Sequence, residues 1–196
     1  MQRPTRLVRL EARSSASLAE RTDDELMTLA QAGLRPAFAV LVERHAARVV
    51  QLCSRFVGDA DVGAELAQET WVAVWQHRAR YRPDGKFVVW LITAGRNRCR
   101  NHLRNHRVAQ RHAATAAADA PTPDQIDALL SGERARRVRE ALARLPEAMR
   151  EALILRFAED LRYDEMVAIM RVGGSTLRSR VHHGLRLLRE MLGKSR

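Results

Sequence analysis

Residues 161–180 read Leu161-Arg162-Tyr163-Asp164-Glu165-Met166-Val167-Ala168-Ile169-Met170-Arg171-Val172-Gly173-Gly174-Ser175-Thr176-Leu177-Arg178-Ser179-Arg180, and this run decides the fold. Met166, Ile169 and Met170 recur at helical spacing, which predicts a short helix from Leu161 to Met170. Arg171 to Gly174 follows as a turn, and Ser175 or Thr176 is placed to cap a longer helix towards Met191. On that helix Leu177, Val181, Leu185 and Leu188 form one inward stripe. Two helices joined through glycines at this spacing make a helix-turn-helix.

The other face of the last helix carries the chemistry. Arg178, Ser179, His182, His183 and Arg186 point away from the stripe, with Ser175, Thr176 and Arg180 beside them at the helix start. Arginine binds guanine bidentately in the major groove, and Ser or His reaches base edges or phosphates, so this face suits duplex DNA. A plain packing unit of two helices is the structural alternative.

Upstream, Val138, Leu142 and Leu145 form the apolar stripe of a charged helix from Glu133 to Leu145; Pro146 stops it and opens another, Glu147 to Phe157. The stretch 108–132 is Ala-rich and broken by Pro121 and Pro123, and reads as a flexible linker. Residues 1–22, rich in Arg and Ser, read as a mobile basic arm. The expectation is therefore an all-α chain of two small helical domains, 23–107 and 133–196, the second a helix-turn-helix domain.

Composition agrees with this reading. The chain has 196 residues, 34 Lys plus Arg against 23 Asp plus Glu, and a formal net charge of +11, a field that attracts polyanions. Cys53 and Cys99 are far apart in sequence and suggest neither a zinc site nor a disulfide framework, so no metal and no cofactor is expected. The longest apolar run, Phe87 to Ile92, is too short to span a bilayer, and the N-terminus lacks the apolar core of a secretory signal. No membrane insertion and a cytoplasmic location are expected.

In the first domain, Asp23 and Asp24 are placed to cap a helix from Glu25 to Ala32 that Gly33 ends. Phe38, Leu41, Val42, His45, Val49, Leu52, Cys53 and Phe56 mark a long amphipathic helix, on which His45 reads as a satisfied, half-buried residue. A third helix, capped by Asp61 and running to about Arg78, turns Ala67, Trp71, Val74 and Trp75 inward. Its opposite face carries Glu65, Gln68, Glu69, Val72 and Gln76, an acidic and amide strip with one apolar centre. DNA is repelled by such a strip. A solvated helix face is the structural alternative, but in a chain of charge +11 the strip suits docking on a basic protein surface.

After a break at Tyr81-Arg82-Pro83-Asp84-Gly85, a fourth helix is expected from about Lys86 to Arg104 or a little beyond. Val88, Leu91, Ile92, Gly95, Cys99 and Leu103 fit a core. Another side gathers Phe87, Trp90, Ala94, Asn97, Asn101 and Arg104, flanked by Arg96, Arg98, Arg100 and Arg107. Aromatic rings stack unpaired bases, amides read base edges and Arg holds phosphates, which suits single-stranded or opening DNA. The alternative keeps Phe87 and Trp90 in the core.

Together these segments resemble the bacterial sigma factors of the extracytoplasmic-function group, which keep only the second and fourth conserved regions of larger sigma factors. The resemblance runs from about Asp24 to Leu192. For region two it rests on Glu65-Leu66-Ala67-Gln68-Glu69-Thr70-Trp71, Trp75, Phe87 to Ile92 and Arg96-Asn97. For region four it rests on Leu145-Pro146, Arg150, Leu155-Arg156, Leu161, Tyr163 to Met166 and Ser175 to Arg180. The resemblance implies a non-enzymatic promoter-specificity subunit of RNA polymerase. It implies that Glu65, Gln68 and Glu69 bind the clamp helices of the largest polymerase subunit, with Val72 and Gln76 on the same strip, and that the polymerase flap is a further contact. It also implies that Pro83, Asp84, Gly85, Lys86 and Phe87 form a pocket for a flipped base of the minus-ten element. Trp90, Asn97, Arg98, Asn101 and Arg104 line the opened strand in that picture, and the last helix reads the minus-thirty-five element. An anti-sigma factor is an expected partner, and no appended sensor domain is expected. Glu65 stands where the family has Asp, one methylene shorter, and Ser175 where it has Gly, which bears on how the last helix starts. The competing function is a dimeric helix-turn-helix regulator acting without polymerase. An enzyme acting on nucleic acid lacks a carboxylate set fit for a metal.

Overall fold

The structure, a computed structural model, describes residues 18–112 and 136–193. Every regular element among the described residues is helical, as expected for an all-α chain. Residues 1–17 of the expected arm and 113–132 of the expected linker lie outside the described residues. Residues 18–22, also read as arm, belong instead to the first domain: Leu18 is buried in its core, removing an apolar side chain from water.

Helix α1 spans Asp23–Gln31. Its cap is Thr22, not Asp23 or Asp24. The Thr22 hydroxyl accepts from the Glu25 backbone N–H (3.3 Å), while the Glu25 carboxylate accepts from the Thr22 N–H (2.8 Å). This reciprocal pair satisfies two helix-end donors and outcompetes a single aspartate cap. It also leaves both aspartates available for longer-range contacts. Helix α2, Arg35–Val57, is the central element and packs on α1, on α3 (Ala60–His77) and on α4 (Phe87–His112). The cap of α3 is Asp59, accepting from Val62 N–H at 2.9 Å, and Asp61 lies in the first turn instead. Close approach of α2 and α3 requires Gly63, because a Cβ there would lie 2.2 Å from the Ser54 hydroxyl and 2.6 Å from Ser54 backbone.

A 3-10 turn, Arg78–Arg80, leads to the loop before α4. Helix α4 runs to His112, past the expected linker start at Val108, since residues 105–112 contain no breaker. The core of this first module gathers Leu26, Leu41, Leu52, Phe56, Leu66, Val74, Leu91 and Ile92.

The second module begins, within the described residues, with α5 over 136–143. Leu145 lies in the following turn and is buried. Pro146 then sits at the N-cap of α6, Glu147–Leu153, not inside its first turn. The chain widens into a π turn, Ile154–Ala158, before α7, Tyr163–Met170. Arg171 takes a left-handed conformation (φ 54°) at the turn, and α8 spans Gly174–Gly193. Ser175 and Thr176 therefore occupy the first turn of α8 and do not cap it. Leu177 and Val181 are buried as expected, and Leu185 and Leu188 pack against the same core. The two modules touch, α2 against the π turn and α4 against α7, and their buried apolar side chains join in one cluster. Among the described residues no helix is long and apolar enough to cross a membrane.

Candidate protein and nucleic-acid interfaces

Helix α3 presents two opposite chemistries because its period places every third or fourth residue on one face. Leu66, Ala67, Thr70 and Val74 are buried against α2 and α4. Phe38 of α2 meets Trp71 edge-on at 5.7 Å and lies 5.0 Å from Trp75, which fixes the rotation of the helix. As a result Glu65, Gln68, Glu69, Val72 and Gln76 are all exposed in one strip, with Val72, at 54 % exposure, among the most open large apolar side chains described. Glu69 is the member with an ion pair, to Arg98 of α4 at 3.6 Å.

The loop before α4 is held by α1. Asp24 accepts from the Tyr81 hydroxyl and from the Gly85 backbone N–H, the latter at 2.6 Å. Gly85 takes φ 76°, a backbone state that other residues adopt only with strain, so its N–H can turn towards the carboxylate. Burial of Tyr81, together with the Asp24 carboxylate on its hydroxyl, pushes the phenol pKa well up, so it stays a hydrogen-bond donor. Thr22, Asp23, Asp24, Gly85, Phe87 and Val88 line an open hollow at this point. Asp23 in turn pairs with Arg44 (2.9 Å) and with His45 Nε2 (2.8 Å), giving His45 the satisfied, half-buried place read from the sequence.

Pro83, Asp84, Gly85 and Lys86 are exposed on this loop. Phe87 is not: only 2 % of it is accessible, with Tyr81 edge-on at 5.7 Å and His45 at 5.6 Å. It floors the hollow from the core, because the first turn of α4 faces α2. Trp90 is half-buried, 5.3 Å from Tyr81. Further along α4, Asn97, Asn101 and Arg104 are exposed and Arg98 is half-buried. Arg96, read as a flanking cation, is buried instead.

On α8, Ser175, Thr176, Arg178, Ser179, His182 and His183 are exposed, while Arg180 is half-buried. The rotation is set by Leu177 and Val181 and by Gly184, where a Cβ would lie 3.1 Å from Leu153. Exposed Arg171 and Arg186 extend the cationic side of this surface.

Sequence reading missed a set of contacts between the modules. Arg96 donates to Glu151 through Nη2 (2.9 Å) and Nε (3.3 Å) and to the Ile169 carbonyl through Nη1 (3.2 Å). Arg48 donates to the Glu159 carboxylate (2.7 Å) and carbonyl (3.0 Å). These partners lie on different elements and no local spacing signals them. Asp24 was missed for the same reason. Cys53 of α2 and Cys99 of α4 are both buried, and both are free.

Comparison with known proteins adds an independent line. Residues 41–108 match the family model Sigma-70 region 2, and residues 135–188 match Sigma-70, region 4. The RNA polymerase sigma factor CarQ of Myxococcus xanthus is 33 % identical over 165 residues, covering 83 % of this chain and 92 % of CarQ. The RNA polymerase sigma-H factor of Pseudomonas aeruginosa is 30 % identical over 176 residues, covering 84 % and 90 %. In fold, the chain is similar to the sigma factor RpoE of Bartonella quintana, solved with the anti-sigma factor NepR (TM-score 0.69, 22 % identity, 81 % of this chain and 98 % of that one). It is similar also to CnrH, solved with the cytosolic domain of CnrY (TM-score 0.67, 24 % identity, 89 % and 99 %).

Proposed function

The chain belongs to the sigma-70 family, as a sigma factor of the extracytoplasmic-function group that directs RNA polymerase to promoters for transcription initiation, and from that premise we propose how its surfaces divide the work. The strip Glu65, Gln68, Glu69, Val72 and Gln76 docks on the clamp helices of the largest polymerase subunit. The carrying observation is that all five residues are exposed on one face of α3, an acidic strip in a chain of charge +11. Complementary potential gives such a strip orientation and on-rate on a basic partner, and Val72 supplies the apolar centre.

The loop Pro83–Lys86, with the hollow floored by Phe87, receives a flipped base of the opening minus-ten element. Trp90, Asn97, Arg98, Asn101 and Arg104 line the strand that follows, combining stacking area, amides and cations. Ser175, Thr176, Arg178, Ser179, Arg180, His182 and His183 of α8 read the minus-thirty-five element as duplex. The second module also meets the polymerase flap. The two domains are those read from the sequence, 23–107 and 133–196, the first extended to take in Leu18 and the end of α4. No covalent chemistry is assigned to the chain, which acts in the cytoplasm with polymerase and promoter DNA as partners. An anti-sigma factor is a further partner, a reading supported by the similar fold of RpoE, solved with the anti-sigma factor NepR.

In vitro transcription with core polymerase and a randomised promoter library tests this division. Enrichment of two separated sequence elements, only when core enzyme is present, is the expected result. Core enzyme that ignores the protein would sink the docking assignment and the promoter reading with it.

A further inference from the structure

The segment between the 3-10 turn and α4 takes its shape from α1. Residues 81–86 form no regular element, so their backbone polar groups find partners elsewhere or in water. Both ends of α1 supply such partners. At its C-terminal end Gln31 donates through Nε2 to two carbonyls, those of Arg78 and Tyr81, each at 2.8 Å. Arg78 in turn donates from Nε to the Ala30 carbonyl at 3.2 Å and from Nη1 to the Trp75 carbonyl at 2.7 Å, with its guanidinium 4.0 Å from the Trp75 ring. At the N-terminal end Asp24 accepts from the Tyr81 hydroxyl on Oδ1 and from the Gly85 N–H on Oδ2. One short helix therefore pins the segment at Arg78, Tyr81 and Gly85, 47 to 61 positions further along the chain.

The same helix walls the hollow. Thr22, Asp23 and Asp24 line it together with Gly85, Phe87 and Val88. Each oxygen of the two carboxylates already has a partner within the chain: Arg44 and His45 on Asp23, Tyr81 and Gly85 on Asp24. Their role in the wall is to fix its shape. A loop that orders only on contact with DNA loses part of the binding free energy to that ordering, and a loop held beforehand does not.

We propose that α1 is a specificity element of promoter opening: Asp24 and Gln31 are positioning residues that set which unpaired base the hollow accepts, by holding Tyr81 and Gly85 in place. The proposal rests on the assignment of the hollow to a flipped base given above.

The test uses the full chain and the variants D24A, which deletes both acceptors, and Q31E, which sets acceptor oxygens against both carbonyls. The two variants move net charge in opposite directions, so a shared effect cannot come from charge. Should Q31E melt far below the wild type, Q31M, which only deletes the donor, takes its place. Hydrogen exchange of the free chain reads the hold on the loop: the Gly85 amide is expected to exchange faster in D24A while the amides of α3 keep their protection. Specificity is read with holoenzyme on a forked promoter fragment taken from the library enrichment, its unpaired minus-ten base varied through all four. If loosening leaves the competent loop at about a tenth of the population, the preferred base loses about tenfold and the other three, which do not use the hollow, lose little. Affinity for core polymerase, carried by α3, is expected to stay at the wild-type value. Equal losses for all four bases together with a loss of core affinity would reduce α1 to a structural part and overturn the proposal. The loop variant P83S/D84S/K86S, run alongside, separates the two readings. Altered base preference in that variant but not in D24A or Q31E overturns the role of α1 alone. No alteration in any of the three overturns the pocket assignment, and the specificity role of α1 with it.

Discussion

At the scale of single residues, exposure separates the functional candidates from their neighbours. Glu69 reaches solvent from α3, and its pair with Arg98 is long and half exposed, so the fold gains little from it. Reversing its charge in E69K is expected to leave helicity and melting temperature near the wild-type values and to cost core polymerase binding several kcal/mol, through like-charge contact. A pull-down titration against core enzyme checks this; unchanged affinity would remove Glu69 from the docking strip. Arg178 is exposed in the first turns of α8. R178A is expected to lose ~1–3 kcal/mol of discrimination at one base pair of the upstream element, read by selection from a randomised duplex with holoenzyme. Uniform weakening at every position would make Arg178 a phosphate contact. Phe87 shows the opposite case. Its spacing in sequence is equally compatible with a stacking surface and with the core, and only packing against Tyr81 and His45 separates them.

At the scale of elements, caps and close approaches set where surfaces stand. The Thr22–Glu25 capping box starts α1 and thereby aims Asp24 at the loop before α4. T22A is expected to cost about 1 kcal/mol of stability in a denaturant titration. Hydrogen bonds from Thr22, the backbone N–H foremost, hold the Glu25 carboxyl below the usual carboxylate range. A depressed folded-state pKa means that its contribution is present above the unfolded-state value and fades as pH falls towards the folded one. The Thr22 hydroxyl also donates to that carboxylate (3.0 Å), so this part of the T22A penalty should shrink on acidification through that window, and a penalty independent of pH would count against the hydroxyl pairing. Between α2 and α3, G63A drives a Cβ into Ser54. The backbone atoms of Ser54 cannot swing aside as a side chain would, so ~1–3 kcal/mol or more is the expected loss, read from thermal unfolding. Since α3 carries the docking strip, polymerase affinity should fall with it.

At the scale of the whole molecule, the net charge of +11 is divided between surfaces that face phosphates and surfaces already neutralised within the chain. Arg104 is exposed on α4 and belongs to the first kind. R104A is expected to reduce the slope of log affinity against log salt by about 0.7 for single-stranded DNA, with the fold unchanged. An unaltered slope would place Arg104 away from the strand. Arg96, two turns earlier on the same helix, belongs to the second kind. Truncating it leaves Glu151 in a buried site with the longer pair to Arg100 (3.7 Å), so its effect reports on the joint between modules and not on DNA.

Helix identity, the acidic strip of α3 and the outward face of α8 were legible in the sequence, because the 3.6-residue period is a local property that side-chain polarity writes directly into the chain. The helix boundaries were legible only to within a turn: at α1 and α3 several capping residues stood side by side, and reciprocal hydrogen bonding at Thr22 or reach at Asp59 chose between them. What tertiary structure alone decided is which polar residues meet across elements. Arg48 and Glu159 are 111 positions apart, Tyr81 and Asp24 are 57 apart, and nothing in their own neighbourhoods marks them as partners. Periodicity assigns a side chain to a face of its helix. Which face of another helix lies opposite is fixed only when the cores close, and that step settled whether an arginine of α4 is offered to nucleic acid or held by a carboxylate of the chain itself.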